Sequence, residues 1–429
     1  MVSSITIVAI TCIGVIYTVI KGSVLPKCKF PLYPLVTALG AIIVMLTGVL
    51  PFSEAKELML SQSAVNPLKI LVLFFSMSAL SVYLDEAGFF NFVAVKMLRY
   101  VKRKQLYLFL LLYALVSVLT VFTSNDIVIL TFTPFLCYFC KSAKISPIPY
   151  LFAEFVAANT FSMLLIIGNP TNIYLSLASE IGFIEYLKIM WLPSLFSGIT
   201  ALLVMLLIFR HQLKEEIRPE EKEATLDMPR AVIGGICLGL ATVTLAVSDF
   251  LPFEMWQIAF FFVLVLFVSA LVYKIFTGKK SGALNTFIRI PWSLLPFVLS
   301  MFILVEALNY SGVCAAAAEL LSSFNPIVTY GVLSTLFANL VNNIPMSVLF
   351  GSVLNAGSAE MAGAYATVIG SNLGAYLTPI GALAGIMWGQ ILKEQNVKFT
   401  FLQFCKKGIL IVVPALAAAL VGLALSLSL

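Results

Sequence analysis

Apolar runs separated by short charged breaks recur along the whole chain. Most runs are roughly 17 to 25 residues long, which is enough for an α-helix to cross a hydrocarbon core of about 30 Å. The strands of a membrane β-barrel would instead alternate lipid-facing and lumen-facing residues, so the pattern favours helices. The predicted crossings are residues 3–20, 31–51, 68–85, 146–180, 188–209, 231–247, 255–274, 291–308, 361–392 and 408–428.

Two further apolar segments do not read as single crossings. Residues 105–141 are too long for one crossing and have basic residues at both ends, which predicts a hairpin that enters from the cytoplasmic side and returns to it. Its tip is predicted at the sequence TSND, residues 123–126. Residues 326–356 have no basic residue at either end and are predicted to form a hairpin from the outer side, with its tip at Asn342 and Asn343.

The basic residues set the orientation, because cytoplasmic loops of membrane proteins are rich in them. With the N-terminus outside, all of the 26 lysines and arginines except Lys56, Lys69 and Lys188 fall on the cytoplasmic side. Both termini are then predicted outside, in a multi-pass protein of the cell (inner or plasma) membrane. This asymmetry also explains the net charge of +6 without a nucleic-acid partner. A mean hydropathy of +1.05 excludes a soluble domain.

Two pairs of similar segments occur in the same order in the two halves of the chain. SMSALSVYLDEAG (Ser76–Gly88) resembles SMFILVEALNYSG (Ser300–Gly312), and IGNPTNIYL (Ile167–Leu175) resembles IGSNLGAYL (Ile369–Leu377). Each match alone is weak, but each lies just before or just after one of the hairpins. The matches therefore predict an internal repeat.

The predicted fold is an all-α polytopic membrane protein of two inverted repeats, each with five transmembrane helices, a re-entrant hairpin and a broken helix. The repeats are inverted because each contains an odd number of crossings. The first covers residues 1–210 with the inward hairpin 105–141, and the second covers 231–429 with the outward hairpin 326–356. A cytoplasmic linker, 211–230, joins them. Inverted repeats with interrupted helices are typical of secondary transporters.

Four polar groups interrupt the apolar segments at comparable predicted depth. Two are the hairpin tips, Ser124–Asp126 and Asn342–Asn343, and two are helix breaks at Gly168–Asn172 and Gly370–Asn372. Interrupted helices expose backbone donors and acceptors, and asparagine and serine add neutral ones. Such groups could hold a polar solute without a permanent buried charge.

Asp126 is the most informative of these residues. An aspartate at the bilayer centre costs roughly 2.5 to 3.5 kcal/mol, so it is expected to face a cavity and to bind a coupling cation or a proton. Glu154 and Glu306 also lie inside crossings and are interpreted as structural or gating carboxylates. Cys137 and Cys140 form a CxxC sequence but have no second pair, and they are interpreted as packing residues.

The chain has no phosphate-binding glycine loop, no HExxH motif and no evident nucleophile–base pair, so it is not predicted to be an enzyme. No cofactor and no metal site are predicted. Transport would be driven by an ion gradient or by the membrane potential, unless a separate cytoplasmic ATPase subunit binds. A homodimer is also compatible with the sequence, and the lipid bilayer is the remaining partner.

The sequence resembles the ion transporter superfamily, and most closely its arsenite-efflux permease (ArsB) and NhaD-like branch. The resemblance covers nearly the full chain through SNDIVILTFTPF, IPYLFAEFVAANTFSMLLIIGNPTNIYLS and ATVIGSNLGAYLTPIGALAGIMWGQIL. It implies export of arsenite or antimonite by an elevator-like movement of hairpins and broken helices, coupled to protons or to the membrane potential. The implied substrate or ion ligands are Ser124, Asn125, Asp126, Asn169, Thr171, Asn172, Asn342, Asn343, Ser371, Asn372 and Thr378.

Two alternatives remain open at this stage. The chain could be a sodium- or proton-coupled carrier of an organic or inorganic anion such as citrate, a dicarboxylate or sulfate. No arginine lies within the four polar groups, which counts against this interpretation. It could also be a Na⁺/H⁺ antiporter that uses Asp126.

Overall fold

A computed structural model describes residues 1–21, 24–25, 30–63, 66–98, 104–217, 225–357 and 361–429. These residues form twenty α-helices, with five short 3₁₀ segments and two isolated β-bridges. The first ten helices are α1 (Val2–Ile20), α2 (Tyr33–Leu46), α3 (Phe52–Leu60), α4 (Pro67–Glu86), α5 (Phe89–Leu98), α6 (Gln105–Phe122), α7 (Asn125–Ser142), α8 (Ile148–Phe161), α9 (Pro170–Ala178) and α10 (Phe183–Ile208). The second ten are α11 (Met228–Ala246), α12 (Met255–Thr277), α13 (Ala283–Arg289), α14 (Leu294–Tyr310), α15 (Val313–Leu321), α16 (Pro326–Val341), α17 (Asn343–Ala356), α18 (Met361–Leu373), α19 (Leu383–Glu394) and α20 (Phe401–Ser428).

The predicted all-α polytopic membrane fold is confirmed. Within the described ranges, eight helices are long and apolar enough to cross a membrane. They include all of the predicted crossings except 31–51, 146–180 and 361–392. Segment 31–51 contains the helix α2, which has only 14 residues. Segments 146–180 and 361–392 are each interrupted, and the helices on the two sides of each interruption are too short to cross a membrane alone. The eighth span is α6, the first arm of the first hairpin.

Four short helices are absent from the sequence prediction. They are α3, α5, α13 and α15, each between seven and ten residues long. Hydropathy windows suited to a full crossing place such segments in loops, because they are too short to span a bilayer. Several basic residues used for the predicted orientation lie outside the described residues: Lys27, Lys29, Arg99, Lys102, Arg103, Arg218 and Lys222.

The two sets of ten helices follow one another in the same order of long, short and interrupted elements. The last helices of the sets, α10 and α20, pack on each other in opposite directions. The backbone of Pro193 in α10 lies close to Gly422 near the end of α20. At the other end of the pair, the Lys407 ammonium lies 5.0 Å from the Phe209 ring centroid. Corresponding helices therefore run antiparallel, as two inverted repeats require.

Equivalent helices also exchange partners between the repeats. Helix α7, the returning arm of the first hairpin, packs on α19 of the second repeat, and its counterpart α17 packs on α9 of the first. In the same way α2 packs on α14 and α12 packs on α4. Each hairpin is therefore held partly by the broken helix of the other repeat.

Ion pairs join loops at the two ends of the helices. Lys69 Nζ lies 2.8 Å from Glu254 Oε2, next to the starts of α4 and α12. Arg289 at the end of α13 contacts both Asp85 and Glu86 at 2.6 Å. Each pair links segments that the sequence assigns to one side of the membrane. The side itself, the repeat boundaries and the hairpin directions remain predictions.

The predicted register of the second repeat match is wrong. Asn172 lies in α9, after the first break, whereas Asn372 lies in the last turn of α18, before the second break. The residue equivalent to Asn372 is Asn159 of α8, because both asparagines donate from Nδ2 to the carbonyl four residues earlier. The predicted match between IGNPTNIYL and IGSNLGAYL rested on shared residues such as glycine, tyrosine and leucine, but the two stretches occupy different positions in the repeat.

Candidate functional site

The first hairpin turns at Thr123, where the backbone becomes extended between α6 and α7. Ser124 is the N-cap of α7, and its Oγ accepts a hydrogen bond from the Asp126 backbone N–H over 3.3 Å. Asn125 points to the neighbouring helix α8, where its Nδ2 donates to Asn159 Oδ1 over 3.0 Å. Asp126 is 5% exposed. The hairpin tip is thus a buried polar turn, as the sequence predicts, and it is fastened to α8.

The first broken helix is interrupted between Phe161 and Pro170. Two 3₁₀ segments bridge the gap, and α9 restarts with Asn169 as its N-cap and Pro170 as its first residue. Proline fits there because the first helical N–H has no partner within the helix. A side chain on Gly168 would collide with the Ser162 carbonyl oxygen, so the bridging loop requires a glycine at this position.

Asn372 connects this break to the second repeat. Its Oδ1 accepts hydrogen bonds from Ser162 Oγ and Asn169 Nδ2, both over 3.0 Å. Its Nδ2 donates to Asn172 Oδ1 over 2.8 Å. The hydroxyls of Thr171 and Ser371 lie 3.1 Å apart. These contacts bring together five of the predicted ligands: Asn169, Thr171, Asn172, Ser371 and Asn372.

The first hairpin tip reaches the same network through Asn159 and Ser162. Asn125 donates to Asn159, whose backbone carbonyl lies 3.1 Å from Ser162 Oγ. The single Ser162 hydroxyl proton is shared between this carbonyl and Asn372 Oδ1. Ser124–Asp126 therefore lies at one edge of a continuous buried group, which we call the asparagine network.

The second hairpin tip forms a separate group. Asn342 has a φ of 78°, and its Nδ2 donates to the Ile380 carbonyl over 3.0 Å. Thr378 Oγ1 donates to Asn339 Oδ1 over 2.6 Å. Among the described residues, no hydrogen bond joins Asn342, Asn343 or Thr378 to the asparagine network. The two hairpin tips are therefore not linked by direct hydrogen bonds.

The second hairpin and the first helix break lie on opposite sides of a small cleft. Its cavity volume is about 20 Å³, room for roughly one water molecule, and it is lined mainly by apolar side chains of α4, α9, α14 and α17. Thr171 of the asparagine network and Ser347 of α17 both line it. Ser347 Oγ is buried and has no hydrogen-bond partner, and the same is true of Asn343 Oδ1 one turn earlier. These two atoms are acceptors that a bound solute could satisfy.

The electrostatic character of the region is nearly neutral. Its side chains are amides and hydroxyls, with Asp126 as the only carboxylate among the predicted ligands. The ion pairs found among the described residues all involve other side chains. The arrangement suits an uncharged or weakly charged polar solute, with one carboxyl available for a cation or proton.

Several residues of the region were missed by the sequence analysis. Asn159 and Ser162 belong to the asparagine network, Asn339 belongs to the group at the second hairpin tip, and Ser347 lines the cleft. Asn159 could have been found by aligning AANT (157–160) with GSNL (370–373). The other three carry no comparable signal, because single serines and asparagines inside apolar helices are common and their positions depend on how the helices pack.

The remaining candidates lie apart from this region. Cys137 and Cys140 are buried in α7. In the part of the chain that the structure describes, no group of three His, Cys, Asp or Glu side chains could hold a metal ion. Glu306 lies in α14, with Asn309 Nδ2 3.5 Å from its Oε1.

Interrupted helices, paired hairpins and a buried polar network inside a helical membrane fold define a membrane transporter built from inverted repeats. The comparisons agree with this class. The chain belongs to the CitMHS family, described as "Citrate transporter", whose model matches residues 19–367.

Individual relatives give more detail. An "Arsenical pump membrane protein" of Yersinia enterocolitica is 30% identical over 83% of this chain and 86% of its own length. A protein of the same name from Escherichia coli is 28% identical over 91% of this chain and 92% of its own length. These matches confirm the resemblance to arsenite-efflux permeases.

The crystal structure of the Alcanivorax borkumensis YdaH transporter, described as having an unusual topology, has the same fold. It covers 99% of this chain and 98% of its own, with a TM-score of 0.57 and 15% sequence identity. At that identity the match concerns the fold alone.

Proposed function

We propose that the protein is a secondary active transporter that exports arsenite or antimonite, coupled to protons or to the membrane potential. The observation that carries this proposal is the neutral character of the asparagine network and of the cleft beside it. Arsenite in neutral water is mainly an uncharged triol, which needs hydrogen-bond donors and acceptors and no countercharge. Amides and hydroxyls supply both.

The solute would bind at the cleft between α9 and α17, next to Thr171, in a conformation in which this cleft is wider, because its present volume of about 20 Å³ holds little more than a water molecule. Ser347 Oγ would then accept a hydrogen bond from one of its hydroxyl groups, and Asn343 Oδ1, one turn earlier in α17, would be the next acceptor. Thr171 and Ser371 would be the nearest hydroxyls of the asparagine network. Because a buried polar atom without a partner is costly, filling these positions favours the bound state.

The proposed movement is of the elevator type, with hairpins and broken helices moving as a unit relative to the other helices. Its support is the exchange of partners between repeats: α7 packs on α19, and α17 packs on α9. A shift of one hairpin would therefore carry the broken helix of the opposite repeat with it. Inverted repeats allow the same movement to open the site to either side in turn.

A coupled carrier of an organic anion such as citrate is the second candidate. It is favoured by the description of the matching family. It is disfavoured by the absence of a lysine or arginine among the predicted ligands, because a polyanion in a low-dielectric site needs compensating charge. A Na⁺/H⁺ antiporter is supported only by Asp126. A cytoplasmic ATPase subunit and a homodimer also remain proposals.

Purified protein in liposomes tests these candidates together. Each solute, As(III), Sb(III), citrate, succinate or sulfate, is offered with and without sodium and with an imposed pH gradient. We expect uphill As(III) and Sb(III) movement that collapses when the pH gradient and membrane potential are removed. Citrate or sulfate accumulation without As(III) flux would favour the second candidate. Sodium flux without any second solute would favour the antiporter.

A further inference from the structure

Glu154 is a carboxyl group that the proposed solute site does not use. It lies in α8, 0% exposed, in the middle of the helical bundle. Thr133 of α7 donates to its Oε1 over 2.8 Å. Its Oε2 is buried and has no hydrogen-bond partner. One carboxyl oxygen, Oε1, therefore has a hydrogen-bond partner, and the other, Oε2, has none.

The surroundings of Glu154 supply no positive charge. The elements packed against α8 are α6, α7, α10, α18 and the 3₁₀ segment Ser162–Leu164, and rings of α19 and α20 contact Phe152 and Phe155. The lysines described on these elements are Lys141, Lys188, Lys393 and Lys406, which are exposed, and Lys407, which lies half-buried over the Phe209 ring. None of them forms an ion pair with Glu154. Taking an ionised carboxylate out of water costs several kcal/mol unless it is paired. Such a group holds a proton instead. The buried titratable side chains on the packed helices are Tyr113, Asp126, Cys137, Cys140, Tyr186 and Tyr365.

The two repeats show that the fold does not need an acid at this position. Superposing Asn159 on its equivalent Asn372 places Glu154 opposite Thr367. Superposing the N-caps of α7 and α17 places Thr133 opposite Gly351. The α17–α18 pair therefore packs without a buried carboxyl or its hydroxyl donor. The carboxyl in the first repeat is an addition to the common packing.

Polar side chains lie on both sides of Glu154 along the helices, without a hydrogen bond to its Oε2. Tyr150 lies four residues earlier in α8 and so shares its face of the helix. The Tyr150 hydroxyl donates to Gln105 Oε1 over 2.8 Å, and Gln105 Nε2 donates to the exposed Glu215 over 3.3 Å. Towards the tip, Thr133 stands seven residues after Asp126, which places both on one face of α7 about 10 Å apart along its axis.

We propose that Glu154 is the site that binds and releases the coupling proton. This role rests on the proposed function as a coupled transporter. The proton binds to Oε2 and is released towards the start of α8, the end predicted to be cytoplasmic, when a conformational change gives water access to this oxygen. Release forms a carboxylate, and Thr133 keeps its hydrogen bond to Oε1. Glu154 does not line the solute cleft. Solute binding and proton binding are therefore coupled through movement of the first hairpin, which carries Thr133.

The test uses Glu154→Gln, which keeps the size of the side chain and its bond to Thr133 but cannot release a proton. Glu54→Gln, a half-buried carboxyl in α3, is the control. In proteoliposomes with an entrapped pH indicator, we expect Glu154→Gln to lose As(III)-dependent proton movement and uphill As(III) accumulation. As(III) should still raise its thermal stability, because the cleft is intact. Glu54→Gln should behave as the wild type.

Two outcomes would overturn the proposal. One is wild-type proton movement in Glu154→Gln. The other is loss of As(III) binding together with transport, which would make Glu154 a structural residue. An infrared titration of the purified protein separates this inference from the proposed function. Wild-type protein should show a buried carboxylic-acid C=O band that changes with pH and is missing in Glu154→Gln. If the wild-type protein moves no As(III) but shows this band, the proposed substrate is wrong and the proposed proton site is not. If the band is unchanged in Glu154→Gln, the proposed proton site is wrong.

Discussion

Asn372 of the second repeat donates a hydrogen bond from its side-chain amide to the side-chain carbonyl of Asn172 in the first repeat, over 2.8 Å. This contact joins the last turn of α18 to the first turn of α9. Both residues are fully buried. The two interrupted helices are therefore held together at the points where each has lost its own backbone hydrogen bonds.

Replacement of Asn372 by alanine is expected to destabilise the protein and abolish transport. Ser162 Oγ, Asn169 Nδ2 and Asn172 Oδ1 would each lose a partner. A buried polar group left unpaired costs about 1–3 kcal/mol. Thermal unfolding in detergent should show a clear fall in the midpoint. Asn91→Ala, at an exposed position of α5, is the control. An unchanged midpoint for Asn372→Ala would show that the network does not stabilise the fold.

Replacement of Asp126 by asparagine is expected to abolish coupled transport and leave expression and folding intact. The amide keeps the shape of the side chain, and the backbone bond to Ser124 is unaffected. What is lost is the negative charge available to a cation or proton. Uphill As(III) movement in proteoliposomes is the measurement, with Glu57→Gln, exposed on α3, as the control. Wild-type transport by Asp126→Asn would return Asp126 to a structural role.

Replacement of Ser347 by alanine tests the solute cleft. Ser347 Oγ has no hydrogen-bond partner, so its removal should leave stability unchanged. If the hydroxyl binds the solute, the Kd for As(III) should rise by about tenfold, which corresponds to ~1.4 kcal/mol. Ser426→Ala is a matched control, because Ser426 Oγ is also buried without a partner but lies near the end of α20. Equal binding by both variants would place the solute elsewhere.

The architecture could largely be predicted from the sequence, whereas the connections within the site could not. Hydropathy and charge predicted the hairpins and broken helices, because both leave direct marks on composition. Asn169 and Asn172 were predicted to be ligands from the resemblance to the ion transporter superfamily. Their bonding to Asn372 depends on how two repeats pack, and no periodicity along one chain encodes that.

The error in the repeat register has the same origin. IGNPTN and IGSNLG share letters, but one begins a helix and the other ends one. A local match cannot distinguish these positions, because both need small and polar residues next to a break. Glu154 illustrates a further limit. Its lack of a charged partner depends on seven elements that pack around α8, so the sequence indicated only an isolated carboxylate inside a crossing.

Helix α12 allows a direct test of the predicted orientation. Glu254 lies at its start, and Lys274, Lys279 and Lys280 lie at or beyond its last turn, so the basic end is expected to be cytoplasmic. Phe253 and Lys279 are both exposed and lie just outside the two ends of α12. In intact cells, Phe253→Cys should react with a membrane-impermeant maleimide above the wild-type background. Lys279→Cys should react only after the membrane is permeabilised. The reverse labelling pattern would invert the predicted membrane topology and place both termini in the cytoplasm.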